Sequence, residues 1–203
     1  NKFLSHIREV DAIVEVVRCF EDNNITHVEG KIDPIHDIEI IGLELIFADL
    51  EVVENRLNRI GKKAKMSNDK DTKMEVALLE RIKNVLMDNK PIRSMEFTEE
   101  EEKFLKPFCF LTKKPIIYVA NINEDEITNG DNEYVKKVRE YASVENAEVI
   151  VVCAKIEEEL SELSKEDKEL FLQDLGIAES GLDQLVKATY HLLGLATFFT
   201  SGT

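Results

Sequence analysis

The chain has 203 residues, 43% of them hydrophobic, which suits one domain, or one domain with an insertion. It carries 41 acidic against 26 basic residues and a net charge of −15; a surface of that sign repels phosphate backbones, so we expect no DNA binding by this segment. The three cysteines are odd in number and lack CxxC spacing, and the four histidines lack ligand spacing, so we expect neither a disulfide framework nor a metal site.

Three short β-branched runs predict strands, at residues 12–17, 115–120 and 148–152. Each run is nearly continuous rather than alternating, which is typical of strands buried on both faces of a parallel sheet. Helical patterns lie between and after the runs, and right-handed crossovers arrange such units as an α/β, doubly wound, mostly parallel sheet. Ligands of these sheets bind outside the carboxyl ends of the strands, so the residues just past each strand are the candidates for a site.

About a hundred residues separate the first two strands, far more than a simple crossover needs, and the excess is helical. An apolar stripe spaced by threes and fours predicts a long helix from about residue 37. The stripe consists of Ile40, Leu43, Phe47, Leu50, Val53, Leu57 and Ile60. Gly61 and the polar residues 62–69 predict its end, and a second amphipathic pattern follows over residues 74–86. We therefore predict a partial sheet domain of residues 1–51 and 111–203, with a coiled-coil-like helical hairpin inserted at residues 52–110.

The predicted turn of this hairpin is the one local basic patch that the sequence shows in an otherwise acidic chain. It contains Arg59, Lys62, Lys63 and Lys65. Most charge runs are solvated surface, and that reading is favoured here. The alternative is a contact with RNA or the ribosome at the hairpin tip.

The strongest candidates for chemistry follow the second and third strands. Asn121-Ile122-Asn123-Glu124 comes after one, and Cys153-Ala154-Lys155 comes after the other. In GTP-binding domains these places hold an NKxD motif, whose Asp accepts two hydrogen bonds from guanine, and an SAK loop, whose backbone N–H groups face the base. A longer carboxylate at position 124 does not hold guanine in the same register, so guanine specificity is not expected from this motif and adenine becomes a plausible base. On the residues alone, a turn residue after a strand is the slightly favoured interpretation of Asn121.

The motifs together resemble the YchF/Obg-like ATPases, a family of TRAFAC-class P-loop NTPases. The opening residues 1–13, the segments 16–20 and 25–39, and the closing residues 190–200 resemble that family's sequence from just after switch II to the passage into its TGS domain. Asn121 to Glu124 resembles the family's N-x-x-E variant of the guanine motif, and Cys153-Ala154-Lys155 its fifth G motif, with Cys where Ser is usual.

The resemblance implies a cytoplasmic, ribosome-associated NTPase that prefers ATP to GTP and uses Mg²⁺, with a coiled-coil insertion in its G domain. It implies that Asn121 contacts adenine, that Ile122 lies against the ring, and that Glu124 orients the loop. Cys153, Ala154 and Lys155 then close the other side of the base. No membrane association is implied, and the sequence shows neither a long apolar span nor a signal peptide.

Two family motifs are missing from the sequence: G-x-x-x-x-G-K-[ST], which cradles phosphates, and D-x-x-G, which is associated with Mg²⁺. Because phosphoryl transfer depends on those parts, we expect no catalytic residue here and no hydrolysis by this chain alone. We interpret it as a fragment of a longer ATPase. The alternative hypothesis is a ribosome- or protein-docking module that acts through its helical hairpin and uses nucleotide only as a switch ligand.

Overall fold

The computed structural model describes residues 2–22, 32–66 and 69–197. In chain order, the helices and strands are α1 (Lys2–Arg8), β1 (Ile13–Arg18), α2 (Pro34–Met66), α3 (Lys70–Met87), α4 (Glu99–Leu105), β2 (Ile116–Asn121), α5 (Glu133–Val144), β3 (Glu148–Val152), α6 (Ala154–Glu162), α7 (Lys165–Asp174) and α8 (Gly181–Leu192). None of the helices in these residues is both long enough and apolar enough to cross a membrane.

The strands form a parallel sheet in the order β1-β2-β3, which confirms the predicted α/β class. The central strand β2 is buried on both faces, as its continuous apolar run predicts. The same expectation is wrong for β1, where Val14 and Val16 are 41% and 66% exposed. In the described residues β1 pairs with β2 along one side only, and the helix on that face packs against β2 and β3 instead.

Helices cover both faces of the sheet. On one face, Tyr118 and Ala120 of β2 pack in a single core with Val135 and Val138 of α5. On the other face, Ile117 and Ile150 pack against Ala188 of α8. This two-sided cover is the doubly wound arrangement that β-α-β patterns favour.

The chain divides into two compact units. One contains residues 1–11 and 39–115 and is almost wholly helical; the other contains residues 12–38 and 116–203 and holds the sheet. The insertion predicted at residues 52–110 lies inside the helical unit, and its limits as a domain stay a prediction.

The helical unit is organised around the pairing of α2 with α3. Ile46, Val53 and Ile60, seven residues apart, share a core with the buried face of α3, which consists of Leu78, Leu79, Ile82 and Leu86. Ion pairs flank this core between Arg56 and Glu75, 2.7 Å, and between Lys83 and Glu54, 2.8 Å. The later of these two α2 residues, Arg56, pairs with the earlier α3 residue, Glu75, so the two helices run antiparallel.

Two details of the predicted first hairpin helix are wrong. Gly61 does not end it, since α2 continues to Met66, and space around the Gly61 Cα is open. The buried stripe also departs from the predicted one in the first half of α2, because Ile40 and Phe47 are 41% and 60% exposed while Asp49 is fully buried.

Asp49 is buried because its carboxylate is surrounded by donors. It accepts hydrogen bonds from the backbone N–H groups of Leu111 and Thr112, at 3.0 and 2.7 Å, and from the Thr112 hydroxyl at 2.9 Å. Arg8 adds an ion pair at 3.2 Å. The carboxylate therefore connects α2 with the chain at Leu111 and Thr112 and with the end of α1.

Candidate functional site

The carboxyl ends of the three strands meet in register. Arg18 pairs with Asn121, and Asn121 pairs with Val152. One step beyond, the Cys19 N–H donates to the Asn121 carbonyl at 2.8 Å and the Ile122 N–H donates to the Val152 carbonyl at 2.9 Å. The loops that leave the three strands therefore start side by side, as expected at a ligand-binding sheet edge.

Asn121 joins the two loops that the sequence singled out. Its Oδ1 accepts a hydrogen bond from the backbone N–H of Ala154 at 3.0 Å, across 33 residues of sequence. Because the carbonyl oxygen is used in this way, the side-chain NH₂ group is the part of the amide that is left to bind a ligand, and within the described residues it has no protein partner.

The two loops line a cavity of about 580 Å³, within the range of small-molecule sites. All six predicted base-binding residues line it: Asn121, Ile122, Glu124, Cys153, Ala154 and Lys155. The side chains of Ile122 and Cys153 are buried, at 4% and 2% exposed, and also belong to the core beneath the sheet edge. They give the cavity an apolar floor, whereas Glu124 and Lys155 stand at its solvated side.

Glu124 and Lys155 form an ion pair across the mouth of this cavity. Lys155 Nζ lies 2.6 Å from Glu124 Oε2, with the two side chains 62% and 50% exposed. The hydrogen bond from Lys155 to Glu124, reinforced by the carboxylate charge, raises the pKa of Lys155. An exposed pair of this kind contributes little stability, so its main effect is to connect the second and third strand-end loops.

Four described residues line the cavity in addition to the six predicted ones: Phe20, Asp22, Asn123 and Asp125. Phe20 and Asp22 follow β1 directly, and Arg18 holds this segment. Its Nε donates to the Phe20 carbonyl at 3.1 Å, and its guanidinium carbon lies 4.9 Å from the centre of the Phe20 ring. The rule that directs attention to the ends of β2 and β3 applies equally to β1, so this wall of the cavity could have been found from the sequence.

The structure describes only part of the predicted basic hairpin tip. Arg59 is exposed near the C-terminal end of α2, and the side chains of Lys62, Lys63 and Lys65 lie outside the described residues. Across the described part of the chain, no three His, Cys, Asp or Glu side chains come together in a way that could hold a metal ion.

Comparison with known proteins gives consistent matches over the whole chain. The chain is 61% identical to "Ribosome-binding ATPase YchF" of Bacillus subtilis (strain 168) over 203 residues, and 45% identical to the protein of that name from Escherichia coli O157:H7 over 202 residues. In both cases the alignment covers 100% of this chain and 55% of the relative, so the chain spans about half the length of the curated relatives it matches. No family model matches the chain.

The fold agrees with a solved structure described as "Structure of the Schizosaccharomyces pombe YchF GTPase". That structure is 32% identical to the chain and superposes with a TM-score of 0.89, covering 100% of this chain and 55% of its own. Sequence and structure thus agree, and the chain is homologous over its full length to the YchF proteins, as the resemblance in its motifs indicates.

Proposed function

We propose that this chain forms the base-binding half of the nucleotide site of an ATP-preferring P-loop NTPase of the cytoplasm, and that the complete protein hydrolyses ATP. The observation that carries this is the bridge from Asn121 to Ala154, which leaves one amide donor beside a cavity of about 580 Å³. An NH₂ donor in this position suits N7 of a purine, an acceptor that adenine and guanine share. Asn121 therefore selects purines without choosing between them.

The choice of adenine rests on Ile122 and Glu124. Guanine presents two donors, N1–H and the 2-amino group, which need a carboxylate held against them, and Glu124 is engaged with Lys155 at the solvated side instead. Unpaired donors in a partly buried site weaken guanine binding. Adenine presents an acceptor at N1 and one amino group, so its edge has no pair of donors that needs a carboxylate held against it.

The phosphates and Mg²⁺ are assigned to sequence that this chain does not contain. The described residues offer no cluster of metal ligands, and the sequence has no phosphate-binding glycine loop. We therefore expect this chain to be inactive alone. The names of the matched proteins differ on the nucleotide, ATPase for the curated relatives and GTPase for the solved structure. ATP is proposed here as the preferred ligand, with GTP weaker.

Titration of the ¹⁵N-labelled chain with AMP, GMP and ATP tests this proposal. We expect AMP to shift the amide signals of the cavity residues, with a dissociation constant of about millimolar or weaker because a base and ribose offer few atoms for affinity. ATP should bind within a few-fold of AMP, since the sequence lacks the glycine loop that binds the extra phosphates, and GMP should bind more weakly. Asn121→Ala should abolish the response.

The matched control is Asn55→Ala, the same substitution at an exposed position on α2 in the helical unit, which should leave AMP binding unchanged. Tighter binding of GMP than AMP would overturn the assignment of Ile122 and Glu124. Binding of ATP far below the millimolar range would overturn the claim that the phosphate-binding half lies elsewhere.

Association with the ribosome is the second part of the proposal. The curated relatives are named ribosome-binding, and the α2–α3 pair ends near the basic residues Arg59, Lys62, Lys63 and Lys65. We propose that this end of the helical unit contacts ribosomal RNA. If the docking role proves to be the primary one, nucleotide serves as its switch ligand.

A further inference from the structure

The wall of the base cavity that contains Phe20 is held in place by residues that do not line the cavity. The central one is Asn132, at the N-terminus of α5. Its Nδ2 donates to the Cys19 carbonyl at 2.7 Å and to Glu126 Oε1 at 2.9 Å, and its Oδ1 accepts from the Val135 N–H at 2.9 Å. Both amide hydrogens and the oxygen are thus engaged, each by a different segment of the chain.

Glu126 extends this contact to the loop that follows β2. Its second oxygen accepts a hydrogen bond from the backbone N–H of Asn123 at 3.2 Å. One carboxylate therefore connects Asn132 with the middle of the Asn121–Glu124 motif. The Cys19 carbonyl, held by Asn132, belongs to the segment that leaves β1, so two walls of the cavity are joined through these two side chains.

A second set of bonds holds the same segment one residue beyond Phe20. The Asn123 side chain donates to the Glu21 carbonyl at 3.3 Å, and the Tyr134 hydroxyl donates to Glu21 Oε1 at 2.8 Å. Phe20 is thus flanked by two residues that are held by side chains of other segments, Cys19 by Asn132 and Glu21 by Asn123 and Tyr134. Its own ring lies against Arg18 and lines the cavity.

We propose that Asn132 and Glu126 form a brace that sets the affinity of this site for the purine base by fixing the segment Cys19–Asp22. They are positioning residues, because they act through Phe20 and Asn123 and do not touch the ligand themselves. The inference rests on the proposed function, since it deepens the description of the same site. Without the brace, the segment must be ordered when the base binds, and that ordering is subtracted from the binding free energy.

Asn132→Asp tests the brace with little change of shape. The carboxylate can still accept from the Val135 N–H and cap α5, but it donates to neither the Cys19 carbonyl nor Glu126, and it places a second negative charge beside Glu126. We expect AMP binding to weaken at least fivefold, and the AMP-induced shifts of the Phe20 ring signals to disappear. The thermal unfolding midpoint reports any general loss of stability.

Asn146→Asp is the matched control. It makes the same chemical change at the other end of α5, where Asn146 has φ +54°, a conformation that Asp also tolerates. The added charge there is unfavourable to the helix dipole, so the variant measures how far a modest loss of stability alone affects binding. We expect its AMP affinity to equal that of the unsubstituted chain.

A rescue completes the test. In the double variant Asn132→Asp with Glu126→Gln, the new amide at position 126 can donate a hydrogen bond to the new carboxylate at position 132. The link between the two positions then re-forms with donor and acceptor exchanged, and we expect the affinity for AMP to recover in part. An Asn132→Asp variant that is folded and binds AMP like the unsubstituted chain overturns the brace alone. An unsubstituted chain that does not bind AMP overturns the proposed function, and the brace with it.

Discussion

The thiol of Cys19 shows how closure of the strand-end loops changes the chemistry of a single residue. Cys19 is fully buried at the end of β1. Burial, reinforced by the charge of Glu126, raises the pKa of this thiol from 9.0 to about 12. The Cys19 thiol therefore stays protonated in the folded chain over a pH range in which it ionises in the unfolded chain.

Relative to Cys19→Ala, we expect the free energy of unfolding of the unsubstituted chain to fall as the pH rises above 9.0, the usual pKa of the thiol. Below that pH the thiol is protonated in both states and the difference is constant. Between there and a pH of about 12, only the unfolded thiol ionises, which favours unfolding. Urea unfolding of both proteins at about pH 8 and about pH 11 measures the change. An unchanged difference would show that Cys19 titrates normally in the fold.

Single residues also show how far the sequence alone points to the candidate site, which stays a prediction. Asn121 and Ala154 are singled out because they lie at or just past the ends of two apolar runs, and parallel strands place such positions at one edge of the sheet. Asn132 cannot be identified in that way. Its bond to the Cys19 carbonyl spans 113 positions of sequence, and its local pattern indicates nothing more than an N-cap. Spacing carries information on neighbours in one element, while contacts between distant loops depend on the folded chain.

At the scale of helices, α2 shows why a correct element can have an incorrect buried face. Its heptad positions Val53 and Ile60 are buried as expected, but Phe47 faces solvent and Asp49 does not. Apolar periodicity treats every carboxylate as a surface group. It does not anticipate that backbone donors at Leu111 and Thr112 form a site for one.

We expect Asp49→Ala to be the more disruptive of two charge deletions on α2, at about 3–5 kcal/mol of unfolding free energy. The change leaves two buried backbone N–H groups and the Arg8 guanidinium without their acceptor. Arg56→Ala is the comparison on the same helix. It removes an ion pair with Glu75 whose arginine is 43% exposed, and such pairs contribute less than about 1 kcal/mol. Urea denaturation of both variants decides, and equal losses would show that the buried carboxylate is not the anchor of this unit.

At the scale of the whole molecule, an acidic chain needs a local basic patch if it is to bind RNA. The chain carries a net charge of −15, so its general field opposes approach to ribosomal RNA. Salt screens the interaction between exposed charges that lie farther apart than a Debye length of about 8–10 Å. A short basic segment at one end of the α2–α3 pair can therefore attract RNA only when it is close to the phosphates. The position of the lysines then matters more than their number.

Substitution of Lys62, Lys63 and Lys65 by Glu tests whether the position of the lysines matters more than their number. If these residues contact RNA phosphates, co-sedimentation of the chain with ribosomes should weaken about tenfold or more at low salt, and the salt dependence of what remains should be shallower. The matched control reverses Lys90, Lys103 and Lys106, which are exposed in the same helical unit, and changes the net charge by the same amount. We expect the control to bind like the unsubstituted chain. Equal weakening in both variants would assign the effect to net charge, and no weakening in either would return the hairpin tip to an ordinary solvated surface.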